Sequence, residues 1–276
     1  MVNLENLSRT VADSFAGLPG DRQRQLLQEW VYSLHSYAQK VQLTHEEWRA
    51  VIGFLHRVGE ISSSSRSEFS LLSDVLGLSS LVDLMGSQAG CTPGSVLGPF
   101  HTADSPWFDN PADLVRENPG ERVCLQGRVL DRDGQPLPEA WLDFWQNASN
   151  GLYWQVDPTQ AQDNLRCRLR VDAQGSYRIT TIRPQPYCIP TDGPVWHDLV
   201  APAGRTPWRP AHFHLIVQAP GHRSLITEIF DAQDEHLAHD AVFGVRQALV
   251  GRYTPGSDGL PTLNFDVVLA KAGATA

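Results

Sequence analysis

The chain has 276 residues, enough for one sizeable core or two small ones, and 41% of them are hydrophobic. A formal net charge of −9 argues against nucleic acid as a partner, which calls for a basic face. No apolar run reaches the length of a membrane span, residues 1–8 lack the basic and apolar regions of a secretory leader, and Cys91, Cys124, Cys167 and Cys188 are scattered without a pairing pattern, so the expected setting is the reducing cytoplasm with no membrane attachment.

Residues 1–90 read as helical. Leu26, Trp30, Leu34 and Tyr37 recur at helical spacing and predict a helix over 25–41. Thr44-His-Glu-Glu47 is a capping box, with Leu43 and Trp48 placed as a hydrophobic staple, and opens a helix through Leu55. The serine run 62–65 is a break, after which 68–84 resumes as helix. From about residue 120 the texture turns to β. A strand over 122–131 runs into the turn Asp131-Arg-Asp-Gly134, and 140–146 follows as the next strand. Strands over 166–171 and 177–182 flank the turn Asp172-Ala-Gln-Gly175, strands over 212–218 and 225–230 flank Pro220-Gly221, and 264–269 closes the set. Short strands punctuated by turns indicate a β-sandwich. The expected fold class is α+β, with a helical region over 1–90 and a β-sandwich domain over 91–276. The small-residue tail from Lys271 is expected to be disordered.

The most informative segment is His212-Phe-His214 within an apolar, β-forming stretch. Side chains two apart on a strand share a face, so both imidazoles point one way while Phe213 and Leu215 pack on the other. Such a pair is either half of a metal site or two structural histidines. A cupin-type ferrous site would place a carboxylate a few residues on, but His214 is followed by Leu-Ile-Val-Gln-Ala-Pro-Gly and no acid comes before Glu228. Without a Cys-x-x-Cys, a thiolate zinc site does not fit either. Two tyrosines stand in unusual settings: Tyr153 in Asn-Gly-Leu-Tyr-Trp, just after a strand, and Tyr187 among Pro184, Pro186 and Pro190. Proline fixes φ and stiffens a loop, which suits a tyrosine held in one orientation. Phenolate is a hard anionic donor, so two Tyr with two His suit ferric iron.

The run Gly151-Leu-Tyr153, then Arg183-Pro-Gln-Pro-Tyr187-Cys-Ile-Pro-Thr-Asp-Gly-Pro194, then Trp208-Arg-Pro-Ala-His212-Phe-His214, resembles the intradiol ring-cleavage dioxygenases, in particular their hydroxyquinol/catechol branch. The resemblance extends to Ser95-Val-Leu-Gly-Pro-Phe100 and Asp240-Ala-Val-Phe-Gly-Val245 and so spans most of the chain. It implies a mononuclear Fe(III) held by Tyr153, Tyr187, His212 and His214, with Tyr187 leaving the metal to take a substrate proton and Tyr153 staying. It places Arg209 beside the active site, as a fixed charge for anionic species on the reaction path. The substrates are an aromatic diol or triol and O2, with no external reductant, which agrees with the absence of a dinucleotide-binding glycine motif. The ring pocket implied by the resemblance comprises Leu71, Asp74, Val96, Leu97, Gly98, Pro99, Ala241 and Val242 together with Arg209. Asp74 can accept a hydrogen bond from a third hydroxyl, which favours hydroxyquinol (benzene-1,2,4-triol) cleaved to 3-hydroxy-cis,cis-muconate over catechol or chlorocatechols. The resemblance further implies a homodimer formed through the N-terminal helices, with a phospholipid at the interface. Two positions depart from the family pattern: Cys188, where relatives carry proline or glycine, and Glu228, where glutamine or histidine is more usual. A non-catalytic sandwich binding module, with structural histidines, is the rival reading from another class.

Overall fold

The computed structural model describes residues 1–63 and 66–273, and the chain divides into two compact units, Met1–Glu60 and Ile61–Ala276. The first unit holds α1 (Leu7–Ser14), α2 (Asp21–Val41) and α3, which begins at His45 and closes at Ile61. The capping box is formed: Glu47 accepts from the Thr44 backbone N–H at 2.8 Å while Thr44 Oγ1 accepts from the Glu47 N–H at 3.2 Å. Leu26, Trp30, Leu34 and Tyr37 of α2 are all exposed.

The expected helix over 68–84 is two helices, α4 (Glu68–Val75) and α5 (Leu78–Gly86), bent by 71°. Gly77 sits between them at φ 74°, a left-handed conformation that only glycine takes without strain and that ends a helix. Among the described residues no single helix is long and apolar enough to cross a membrane. Ser64 and Ser65 of the expected break lie outside the described residues.

The strands of the second unit are β1 (Ala112–Asp113), β2 (Arg122–Asp131), β3 (Trp141–Trp145), β4 (Arg166–Arg170), β5 (Ser176–Ile182), β6 (Tyr187–Cys188), β7 (Trp208–Arg209), β8 (His212–Gln218), β9 (Leu225–Asp231), β10 (Val250–Gly251), β11 (Tyr253–Pro255), β12 (Pro261–Asn264) and β13 (Val267–Leu269). One sheet runs β1-β5-β2-β12-β11 with β13 also on β2, the other runs β10-β9-β8-β3-β4, and β6 and β7 make a separate ribbon. A single core cluster draws on both sheets: Val123, Leu125 and Ile179 from the first, Leu142, Phe144, Phe213, Leu215 and Ile229 from the second. This is the expected α+β architecture, helices followed by a sandwich, with Phe213 and Leu215 on the core side of β8. The expected strand over 264–269 is interrupted at Phe265–Asp266, where the chain passes from β12 to β13 along the same edge of β2. The tail is ordered further than expected: Lys271 bridges to His222 and the Ala272 N–H donates to Gly221 O at 2.9 Å, because these backbone groups find partners in the 219–222 turn. Residues 274–276 lie outside the described part.

Candidate metal centre

Strand alternation does locally what periodicity predicts. On β8, His212 and His214 are 2% and 1% exposed, and they face away from the sandwich core with their Nε2 atoms 3.1 Å apart. The His212 Nδ1 lies 2.6 Å from the Pro210 carbonyl; a carbonyl only accepts, so Nδ1 carries the hydrogen and Nε2 presents a lone pair. Burial, then the Arg209 charge, lowers the His212 pKa, and burial with His212 beside it holds His214 well below the usual range. Both rings are thereby neutral, the form in which imidazole ligates a metal.

The two tyrosines arrive from outside β8. Tyr153 follows β3 in a loop stitched by Asp157, which accepts from Asn150 and Thr159. Tyr187 lies on β6, opposite Arg209 of β7. The Tyr153 ring stands edge-on to Tyr187 at 5.6 Å and 6.2 Å from His214, and Tyr187 stands 5.6 Å from His212. The four side chains therefore converge. The buried Tyr153 hydroxyl and His214 Nδ1 have no hydrogen-bond partner among the described residues. Burial and the neighbouring Tyr187 raise the Tyr153 pKa well above the ordinary phenol value, and burial raises Tyr187, with Arg209 opposing. A phenol that burial keeps neutral, facing two imidazole lone pairs, is a donor set that a trivalent cation would satisfy by ionising the phenols. The residues fit iron.

Arg209 is buried and bridges two acids. Its Nη1 and Nη2 donate to Glu228 Oε1 and Oε2 at 2.8 and 3.1 Å, and its Nε donates to Asp240 Oδ1 at 3.1 Å. Burial opposes its charge, but Asp240 and Glu228 outweigh that and raise its pKa well above the ordinary value. Glu228, on β9 beside His214, also accepts from Ser95 Oγ at 2.6 Å; burial raises its pKa, but the Arg209 charge and the hydrogen bonds from Arg209 and Ser95 hold it below the ordinary value. His212, His214 and Glu228 form a group whose ligand atoms lie within 4.8 Å of one another. The carboxylate is already engaged by Arg209 and Ser95, whereas among the described residues the Tyr153 hydroxyl has no partner and Tyr187 accepts only from Arg209, at 3.4 Å. Asp240 was visible in the sequence only as part of a motif, and nothing in the sequence assigned it to Arg209.

The residues expected around the ring take these places. Leu71 is buried on α4. Asp74, one turn on, is held by Ser79, has its pKa raised by burial, and senses Arg209, Glu228 and Asp240. Val96 is buried and Leu97 is partly exposed, while a Cβ at Gly98 would stand 3.1 Å from His214 Cε1. Pro99 continues that segment. Ala241 and Val242 are buried directly after Asp240, and Arg205 joins the Ala241 carbonyl to that of Val75 at the end of α4.

Comparison with known proteins places this centre. Residues 97–271 match the family model described as Dioxygenase, and residues 20–90 match that of the catechol dioxygenase N terminus. The chain is 39% identical to 6-chlorohydroxyquinol 1,2-dioxygenase of Cupriavidus pinatubonensis, with 96% of each chain covered. It is 37% identical to hydroxyquinol 1,2-dioxygenase of Nocardioides simplex, over 97% of this chain and 96% of the relative. In structure it is similar to hydroxyquinol 1,2-dioxygenase from Pseudomonas putida, at a TM-score of 0.87 and 38% identity, over 98% of this chain and 99% of the other. Catechol 1,2-dioxygenase from Pseudomonas arvilla aligns at a TM-score of 0.81 and 28% identity, over 100% and 94%. The chain belongs to the intradiol ring-cleavage dioxygenase family. It is an enzyme of that class, and iron dependence is typical of the family.

Proposed function

We propose that this enzyme cleaves hydroxyquinol between its two adjacent hydroxylated carbons, with both atoms of O2 entering the product, 3-hydroxy-cis,cis-muconate, the enol form of maleylacetate. Each of the two carbons becomes a carboxyl carbon, the ring is the reductant and O2 the oxidant, so no further electron donor enters. The observation that carries this reading is the run of hydroxyquinol and 6-chlorohydroxyquinol enzymes at 36–39% identity over 90–97% of the chain, with a solved hydroxyquinol enzyme at 38% against 25–28% for the solved catechol enzymes; a catechol 1,2-dioxygenase of Candida albicans also reaches 36%, over 83% of the chain. Asp74, a half-buried acid near Arg209, supports it from the substrate side.

Tyr153, Tyr187, His212 and His214 would hold Fe(III), which as a Lewis acid favours the ionised diol. Tyr153 is sealed from solvent at 2% exposure and suits the permanent ligand. Tyr187 is less buried, and its hydroxyl receives Arg209 Nη1 at 3.4 Å, so it suits the group that swings out and takes a substrate proton on its phenolate oxygen. Arg209 then faces the anionic substrate with its orientation fixed by Glu228 and Asp240. Leu71, Val96, Leu97, Gly98, Pro99, Ala241 and Val242 would enclose the ring and exclude water. Asp74 would accept from the third hydroxyl, a contact that catechol lacks. The exposed apolar stripe of α2 supports a homodimer through the first unit, and a phospholipid at that interface is part of the same reading.

The test is the visible spectrum of iron-loaded protein, before and after anaerobic addition of hydroxyquinol and then catechol. A tyrosinate band that moves to longer wavelength with hydroxyquinol is expected. Asp74→Ala is expected to lower the hydroxyquinol-to-catechol ratio of kcat/KM by roughly tenfold to a hundredfold. A colourless iron-loaded protein would overturn the ligand set, and an unchanged ratio would overturn the role of Asp74.

A further inference from the structure

Strand register places four fully buried side chains in one row across the second sheet. Arg166 of β4 is opposite Trp145 of β3, Trp145 is opposite His214 of β8, and His214 is opposite Glu228 of β9. Residues directly opposite in neighbouring strands project from the same face, so Arg166 shares the face that carries the histidines. The row is packed face to face where it meets the metal ligand: the Trp145 indole stacks on the His214 ring at 4.8 Å and 4°.

Arg166 is 1% exposed. Its Nη2 donates to the Phe100 carbonyl at 2.6 Å, its Nη1 donates to the Thr102 hydroxyl, and its Nε has no partner. No carboxylate pairs with it among the described residues. The nearby buried acid Asp143 meets Arg168 and His101 through Oδ2, each at 3.3 Å, and its Oδ1 has no hydrogen-bond partner among the described residues. The segment that Arg166 holds covers two of the proposed ligands. Phe100 stacks on Tyr153 at 4.3 Å and 17°, and Gly98 abuts His214. A buried cation with neutral partners alone is strongly unfavourable unless an anion stands nearby. Arg209 is not free to balance an ionised Tyr153, because it is shared between Glu228 and Asp240.

We propose that Arg166 is a positioning residue of the iron centre: it pins residues 98–102 over Tyr153 and His214, and its unpaired charge is the fixed counter-charge of the Tyr153 phenolate. The inference rests on the tyrosinate reading given above. It assigns the electrostatic support of the permanent ligand to Arg166 and leaves Arg209 to the substrate side. Burial lowers the Arg166 pKa, while Asp143, then Asp163 and Tyr153, act to raise it.

The test compares Arg166→Gln with Arg166→Lys, both loaded with Fe(III), by visible absorption and resonance Raman of the tyrosinate band. Removing a cation beside a phenolate raises its donor level, so the band of Arg166→Gln is expected at longer wavelength, while Arg166→Lys, which keeps the charge, stays near the wild type. Equal shifts in both variants, or no shift in a folded, iron-loaded Arg166→Gln, would overturn the counter-charge. If Arg166→Gln does not fold, Thr102→Val decides, since it removes one arm of the pin and leaves the charge: a moved band supports the proposal and an unmoved one overturns it. A wild-type protein with iron and no tyrosinate band would instead sink the ligand reading on which the inference rests.

Discussion

Arg209 lies between two carboxylates, and each of the three side chains is justified only by the others. Glu228 is wholly buried, and an ion of that kind survives inside a protein when its partners replace water. Here the partners are the two guanidinium nitrogens of Arg209 and the Ser95 hydroxyl. Glu228→Gln keeps the shape but surrenders the ion pair, while Asp240 still neutralises Arg209. The expected loss is therefore smaller than for breaking an isolated buried pair, about 2 kcal/mol. Read by thermal unfolding of the iron-loaded protein, that is a fall in Tm of roughly 5 °C. An unchanged Tm would mean that Asp240 and Ser95 alone meet the needs of the cluster. The same residue disfavours a ferrous-type triad of two histidines and a carboxylate: the carboxylate is close to the imidazoles, but its oxygens are committed to Arg209 and Ser95.

At the scale of the element, the interruption between β12 and β13 is the feature that most needs its particular residues. The Phe265 N–H donates to Gln126 O at 2.8 Å, and its carbonyl accepts the Tyr177 hydroxyl at 2.6 Å. That carbonyl occupies the space where any side chain on Gly127 would begin, since a Cβ there would stand 1.9 Å from the oxygen and 2.5 Å from the carbonyl carbon. Backbone, not a pliable side chain, would have to move. Gly127→Ala is expected to destabilise the second unit by about 3 kcal/mol through this overpacking. Gly17→Ala, where a methyl meets open space, is the control and is expected to be neutral. A tolerated Gly127→Ala would show that the β12–β13 passage is pliable.

At the scale of the whole molecule, the exposed Leu26, Trp30, Leu34 and Tyr37 on one helix are more than a lone chain leaves in water without reason. The homodimer proposal assigns that stripe to a second copy. Light scattering on the purified protein is expected to give twice the chain mass, and Trp30→Glu to return it to the monomer mass. Because every proposed ligand lies within Ile61–Ala276, the tyrosinate band of that variant should be unchanged. A monomeric wild type would overturn the homodimer, and a dimeric Trp30→Glu would move the interface elsewhere. Organic extraction of the dimer tests the lipid separately.

The part of the candidate site that depends on short-range rules is legible in the sequence, and its other residues rest on the family resemblance. A period of two puts His212 and His214 on one face, prolines mark the settled loop around Tyr187, and turns mark the sandwich. The capping box at Thr44 was legible for the same reason, since both partners lie within one helical turn. The break at Gly77 is not legible there, because a glycine inside an apolar helical pattern is ambiguous until packing selects its left-handed form. Nor is the row Arg166–Trp145–His214–Glu228, nor the sharing of Arg209 with Asp240. Those pairings join residues far apart in the chain, and strand order, register and burial decide them; a buried charge reveals its partner only after the chain has folded around both.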